Sequence, residues 1–484
     1  MSEAAALPTA RLVMPALRAR PGSGFAHEAG AIAEALDLGV GGFIIFGGTV
    51  ESVRRLTSDL LRRAERPLLL ASDLERGAGQ QIEGLTEFPP PLALAALDDA
   101  AAVRWVASVT AREARAVGIN WVFAPVADLD VVPENPIVQT RAFGADPQRV
   151  ATMVRNWVEG CQTAGALACA KHFPGHGRTT ADSHVTLPVV DARRDILEGE
   201  DLVPFGIAVE AGVASLMTAH VAFPGLDPEG LPATLSSRIL GELRGRLGFD
   251  GLVVTDALIM DGALVGRRES DAALEAIRAG VDILLYPNDL GIVVAALDAA
   301  AASGRIPAAR AADALDRYAR ALALTEEPPP AALTAPTGPH SAAIADRLLD
   351  LPVNAAAPPL REPLDLVVVD DDVGGPYPAS PSDWTAKALA EAGVAHGRHG
   401  SKVVLVFAEP RAWKGRAGLG DASLEALKEH QSADLIVLFG HPRLRAQLPA
   451  NVPVLVAWHR QRLMQDAVAR WISRRLAPAA APPG

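Results

Sequence analysis

The chain has 484 residues, 49% hydrophobic and 21% charged, a balance that excludes collagen, coiled coil and wholesale disorder and predicts two or three packed domains. Lys and Arg total 45 against 57 Asp and Glu, a formal net charge of −12. With no local basic patch, a field of that sign repels phosphate backbones and argues against nucleic acid as a partner. Two cysteines, Cys161 and Cys169, are too few for a disulfide scaffold or a thiolate zinc site. The Ala-rich stretches are broken by Asp, Arg or Pro before reaching about 18 apolar residues, so no membrane span is expected. The first residues lack the basic start and apolar run of a secretory signal, which makes the cytoplasm the expected location.

Short apolar, β-rich runs occur at 12–17, 42–46, 67–72, 121–126, 167–171, 215–220, 252–255 and 282–286. Between them lie amphipathic helical patterns, among them 50–63, 99–117, 147–164 and 270–279. Strands alternating with helices imply right-handed βαβ crossovers and a parallel sheet. Eight units over residues 1–325 predict a closed (β/α)8 TIM-like barrel. A doubly wound open sheet fits less well, because no Gly-rich phosphate fingerprint follows the first strand. Segment 326–339 is Pro-rich and nearly aperiodic, and 326–362 reads as a linker. Residues 363–484 then carry four strand runs (364–369, 402–407, 435–439, 452–457) and helical stretches at 385–392, 423–430 and 460–475. They predict a smaller α/β sandwich-type domain with no reactive constellation and a frayed end at 477–484.

In a barrel, side chains closing the strands converge on one face, where catalysis takes place. The closing polar residues are Asp73, Asp128, Lys171 with His172, His220, Asp256 and Asn288, a carboxylate-rich pocket with one or two cations. The densest stretch is Lys171-His172-Phe173-Pro174-Gly175-His176-Gly177, followed by Asp182-Ser183-His184. An Asp two residues before a His can accept its ring N–H, fix the tautomer and favour the imidazolium, which then donates a proton near neutral pH. Asp256 ends an apolar run and is placed to supply a carboxylate at the barrel mouth. Its competing reading is the N-cap of a following helix, a role Asp often fills. For Asp73 and Glu75 the competing reading is that one of them pairs with Arg76.

At these residues the chain resembles glycoside hydrolase family 3, in the branch of β-N-acetylhexosaminidases that use a histidine as acid/base. The matching stretches are Asp73-x-Glu75-x-Gly77, Asn135-Pro136-Ile137-Val138-x-x-Arg141-Ala142-Phe143-Gly144 and Lys171 to Gly177. They continue with Asp182-Ser183-His184, Met217-Thr218-Ala219-His220 and Val254-Thr255-Asp256-Ala257-Leu258-x-Met260, in the family's order. The resemblance implies Asp256 as nucleophile, His184 as general acid/base and Asp182 as its orienting partner. It assigns Asp73, Arg141, Lys171 and His172 to the sugar hydroxyls, gives His220 either a binding or a shaping role, and leaves His176 to shape the loop. It requires no cofactor and no metal, and implies a glycoside or oligosaccharide substrate cleaved with net retention, often in recycling of cell-wall fragments.

Ala78 and Gln81 stand where many relatives continue the Asp-x-Glu motif with basic residues, which leaves sugar specificity open between N-acetylglucosaminide, glucoside and xyloside. A histidine acid/base presents no carboxylate to an incoming phosphate, so a β-glycoside phosphorylase on the same fold is the nearest alternative. A metal-dependent hydrolase using His172, His176 and His184 is disfavoured by the cation of Lys171 beside them. A catalytically inert carbohydrate-binding protein is disfavoured because all the chemical groups are present. Oligomeric state is not legible.

Overall fold

The structure is a computed structural model and describes residues 8–181, 186–326, 337–354, 358–374 and 379–476. Thirteen strands are found among them, in two parallel sheets. The first sheet comprises β1 (Val13–Met14), β2 (Ala16–Arg18), β3 (Gly42–Phe46), β4 (Leu69–Ser72), β5 (Trp121–Val122), β6 (Leu167–Phe173), β7 (Ser215–Thr218), β8 (Leu252–Ala257) and β9 (Ile283–Leu285). Its order is β1-β9-β8-β7-β6-β5-β4-β3-β2. β1 and β2 are one run interrupted at Pro15, which has no N–H to give a ladder. The first half pairs with β9 and the second with β3, so the ring closes through a single stretch of chain. This is the expected eight-unit barrel with its first strand broken in two.

The local chemistry explains the elements. β6 is buried at every position, as a strand covered on both faces must be. Helix Val50–Ala64 starts at a capping box, in which the Thr49 hydroxyl accepts from the Ser52 N–H and the Ser52 hydroxyl from the Thr49 N–H. It buries Val53, Leu56 and Leu60 and turns Arg54, Arg55, Arg62 and Arg63 to the opposite face. Helix Pro147–Thr163 is capped by the Asp146 carboxylate, which accepts from the Arg149 N–H, with Pro147 in the first turn. Inside the barrel, Trp121 Nε1 donates to Ser215 Oγ at 2.8 Å, and Ser215 Oγ donates to Ala168 O at 2.8 Å. Trp121 is fully buried, and truncation to Ala would cost about 3–5 kcal/mol.

The second sheet comprises β10 (Asp365–Asp370), β11 (Lys402–Ala408), β12 (Leu435–Gly440) and β13 (Val454–Val456), all parallel and in sequence order. Helices Trp384–Glu391, Asp421–Lys428 and Arg462–Ser473 accompany it, as expected. The segment expected as linker carries a further helix, Gly338–Leu349, with Ile344, Leu348 and Leu349 buried. At the strand ends Arg460, 1% exposed, bonds Asp370 Oδ1 at 2.9 Å and Asp372 Oδ2 at 2.7 Å.

The chain divides into two compact units. The first is Met1–Thr86, Ala100–Val131 and Ala142–Pro336; the second is Glu87–Asp99, Val132–Arg141 and Thr337–Gly484. Two excursions from the barrel sequence therefore belong to the second unit. Within it, Gln461 Nε2 donates to Phe88 O at 2.7 Å and Arg443 Nη1 to Val132 O at 3.4 Å.

Candidate active site

The carboxyl ends of β4 to β8 carry the polar residues. Two of these strands lose register at that end: β6 against β7 between Lys171 and Phe173, and β8 against β9 between Val254 and Ala257. A residue added on one strand breaks strict alternation of faces. Lys171 and His172, neighbours in sequence, consequently both reach partners at the barrel mouth.

Lys171 is 2% exposed, and its Nζ lies 2.6 Å from Asp73 Oδ1 and 2.8 Å from Glu75 Oε1. A buried ammonium is stable only when paired, and both carboxylates reach it. Asp73 and Glu75 share the Lys171 ammonium, so Glu75 joins the site beside Asp73.

Asp128, beyond the end of β5, organises the histidine loop. Its Oδ2 lies 2.7 Å from His172 Nδ1, and its Oδ1 accepts from the backbone N–H of His172 at 3.1 Å and of His176 at 2.7 Å. Burial alone would raise the Asp128 carboxyl, but the His172 ring and these bonds outweigh it and hold it below the usual carboxylate range. An ionised acceptor requires a donor, so Nδ1 carries its proton and the other ring nitrogen, Nε2, faces Asp256 Oδ2 at 4.0 Å. Sequence reading placed Asp128 among the strand-end groups of the pocket without assigning it a partner or a specific role. Its signal was its position after the β5 run.

Asp256 belongs to β8, and its Oδ1 accepts from the Ala257 N–H at 2.7 Å. The next helix, Asp261–Leu264, has Met260 at its N-cap and no side-chain cap. Asp256 is therefore not a helix cap. Its side chain is 21% exposed, open enough for a ligand to reach it.

His176 Nδ1 lies 2.8 Å from Thr179 Oγ1, and burial pushes its pKa down to about 4. His220 is held at both nitrogens, by Thr234 Oγ1 at 2.8 Å and Ala257 O at 3.2 Å, and burial lowers it against the pull of Asp256. Asn288 is exposed, its N–H donating to Glu269 Oε1 at 2.6 Å. Arg141 ends the short helix Gln139–Arg141 in the second unit. Asp182 and His184 lie outside the described residues. The chain leading to them is anchored, since Arg178 Nε bonds Asp201 Oδ2 at 2.6 Å and burial pushes Asp201 up to about 6. A Cβ on Gly177 would stand 1.9 Å from Leu129 O, so only glycine fits there.

Burial raises both cysteines, Cys169 to about 12, so neither offers a thiolate. Among the described residues no three His, Cys, Asp or Glu side chains group as metal ligands. No helix of the described residues is long and apolar enough to cross a membrane.

A parallel barrel whose mouth holds a partly exposed carboxylate, an oriented imidazole and a lysine shared by two carboxylates gathers the groups of a candidate active site. Residues 11–321 match the model of the glycosyl hydrolase family 3 N-terminal domain, and the chain belongs to that family of glycoside hydrolases. It is 39% identical over 269 residues to a β-hexosaminidase of Alkalilimnicola ehrlichii, taking in 53% of this chain and 76% of that one. It is 37% identical over 263 residues to a β-N-acetylglucosaminidase/β-glucosidase of Cellulomonas fimi, taking in 52% of this chain but 47% of that longer protein. The solved family 3 β-N-acetylglucosaminidase of Paenibacillus sp. FPU-7 superposes with a TM-score of 0.83 at 27% identity, over 98% of this chain and 97% of that one.

Proposed function

We propose that the enzyme is a retaining, exo-acting β-N-acetylhexosaminidase that removes terminal β-linked N-acetylglucosamine by double displacement. The observation that carries the reading is Asp256 at the end of a bulged barrel strand, reachable from solvent and 4.0 Å from an imidazole nitrogen whose ring Asp128 orients. In the first step an Asp256 oxygen attacks the anomeric carbon through an oxocarbenium-like transition state, and His184 gives its proton to the departing oxygen. A glycosyl ester forms and the glycosidic bond breaks. In the second step neutral His184 takes a proton from water, the resulting hydroxide attacks the same carbon, and the ester bond to Asp256 breaks. Two inversions give net retention.

Asp182 orients the His184 ring, as the Asp-x-His spacing favours. Asp73, Lys171 and His172 hold the sugar of the non-reducing end, and His220 shapes the end of β8. The N-acetylated substrate is supported by the names of the relatives at 37–39% identity. Release of N-acetylglucosamine from cell-wall fragments is the use that the family resemblance favours.

The test is a panel of aryl β-glycosides (N-acetylglucosaminide, glucoside, xyloside) with phosphate varied. The reading predicts the highest kcat/KM on the N-acetylglucosaminide, β-configured free sugar as first product, and a rate independent of phosphate. A faster glucoside, or a glycosyl phosphate product that needs added phosphate, would overturn it.

A further inference from the structure

The cluster around Lys171, His172 and Asp256 uses the ends of β4 to β8. The ends of β2, β3 and β9 complete the ring and carry Arg18, Phe46 and Tyr286, none of which the mechanism employs. Arg18 is the register partner of Phe46, and Ile44 that of Ala71. Residues paired across a parallel sheet project from the same face, so Arg18 and Phe46 stand together at the ends of β2 and β3, next to β4, after which Asp73 meets Lys171 at the mouth.

Tyr286 follows β9 with φ +49, a left-handed conformation costly for an aromatic residue. Its N–H donates to Met14 O at 2.8 Å, which fixes the turn. The Phe46 and Tyr286 rings lie 6.1 Å apart at 35°, and the Arg18 guanidinium sits 4.5 Å from the Phe46 centroid. The Asp256 strand passes beside this wall, because the Leu258 N–H donates to Leu285 O at 2.9 Å. Depth separates the two halves of the mouth. Lys171 and His172 are buried, whereas Phe46 and Tyr286 are half-buried and Arg18 is exposed.

We propose that Phe46, Tyr286 and Arg18 form the leaving-group subsite, which receives the second pyranose ring of the substrate. The buried polar groups suit the hydroxyls of the sugar that is attacked, and the rim meets whatever protrudes from it. A pyranose offers a flat C–H face to aromatic rings and equatorial hydroxyls to guanidinium N–H donors. The inference rests on the function proposed above, so the test separates the two.

The probes are the β-1,4-linked disaccharide of N-acetylglucosamine and the β-glycosyl azide of the same sugar, whose departing group has no ring. Phe46→Ala and Tyr286→Ala should each lower kcat/KM on the disaccharide by about tenfold, the measured range for aromatic contacts, and alter the azide less than twofold. Arg18→Ala should move the same ratio by about threefold. Tyr286→Leu keeps the bulk and removes the flat face, so it should reproduce the selective loss if an alanine variant fails to fold. Equal losses on both substrates, or an unchanged ratio, would overturn the subsite. Wild-type protein that cleaves neither probe would instead overturn the functional reading, and the subsite with it.

Discussion

Two buried groups beside the histidine loop titrate in opposite senses, and their effects on stability can be worked out in advance. His176 has a pKa near 4 in the fold against 6.5 when unfolded. Below pH 6.5 the unfolded chain gains a proton that the fold refuses, so stability falls as pH drops from 6.5 towards 4. By pH 5 the loss is about 2 kcal/mol relative to pH 8, from the ratio of the two binding polynomials. Asp201 is the reverse case. Its carboxyl takes up a proton near 6 in the fold and near 3.8 when unfolded, because burial outweighs its bond to Arg178. The fold now gains the proton first, so stability rises as pH falls through 6, by about 1 kcal/mol at pH 5. Urea unfolding of the barrel unit at pH 5, 6 and 8 measures both. His176→Asn should remove the acid-side loss and flatten the fall by about 2 kcal/mol, while Asp201→Asn should steepen it by about 1 kcal/mol. If both variants track the wild type in parallel across this range, the assigned environments of the two groups are refuted.

His184→Ala should spare kcat/KM for glycosides with good leaving groups and cripple it for those that need protonation, and equal losses would argue against an acid role. Asp182→Asn should shift the pH–rate profile and cut turnover with binding retained, which inhibition by N-acetylglucosamine checks. Asp128→Asn removes the ionised acceptor of His172, so about 1.5–3 kcal/mol of stability should be lost along with turnover. Unchanged turnover would detach Asp128 from the chemistry. Exhaustive chelation should leave activity intact, and a loss restored only by a divalent ion would revive a metal-dependent mechanism.

Much of the fold was legible because its signal is local. Apolar runs such as 167–170 and 435–439 appear as strands, and the amphipathic stretch 147–164 appears as Pro147–Thr163. The Lys-His run and Asp256 were legible as residues closing such strands. Links set by tertiary register were not. Asp128 meets His172 across 44 residues, through a pairing of Val126 with Lys171 that no local pattern encodes. Glu75 read equally well as a partner of Arg76, since only the position of β6 brings Lys171 between it and Asp73. The capping alternative for Asp256 survived in sequence because a strand end and a helix start share the same residue preferences. It fell once the helix was found to begin five residues later. Segments 87–99 and 132–141 lie amid barrel sequence yet belong to the second unit, held by Gln461 and Arg443 from far along the chain.

The most direct test of the account is to identify the carboxylate that forms the covalent intermediate. A 5-fluoro glycosyl donor of N-acetylglucosamine slows both displacement steps and lets the ester accumulate, and peptide mass spectrometry then locates it. The account predicts a single label on the peptide that carries Asp256. It also predicts that Asp256→Asn leaves the melting temperature close to wild type while abolishing label and turnover, because an amide is too weak a nucleophile to form the ester. A label on Asp73 or another carboxylate, or an inverted anomeric product, would contradict it.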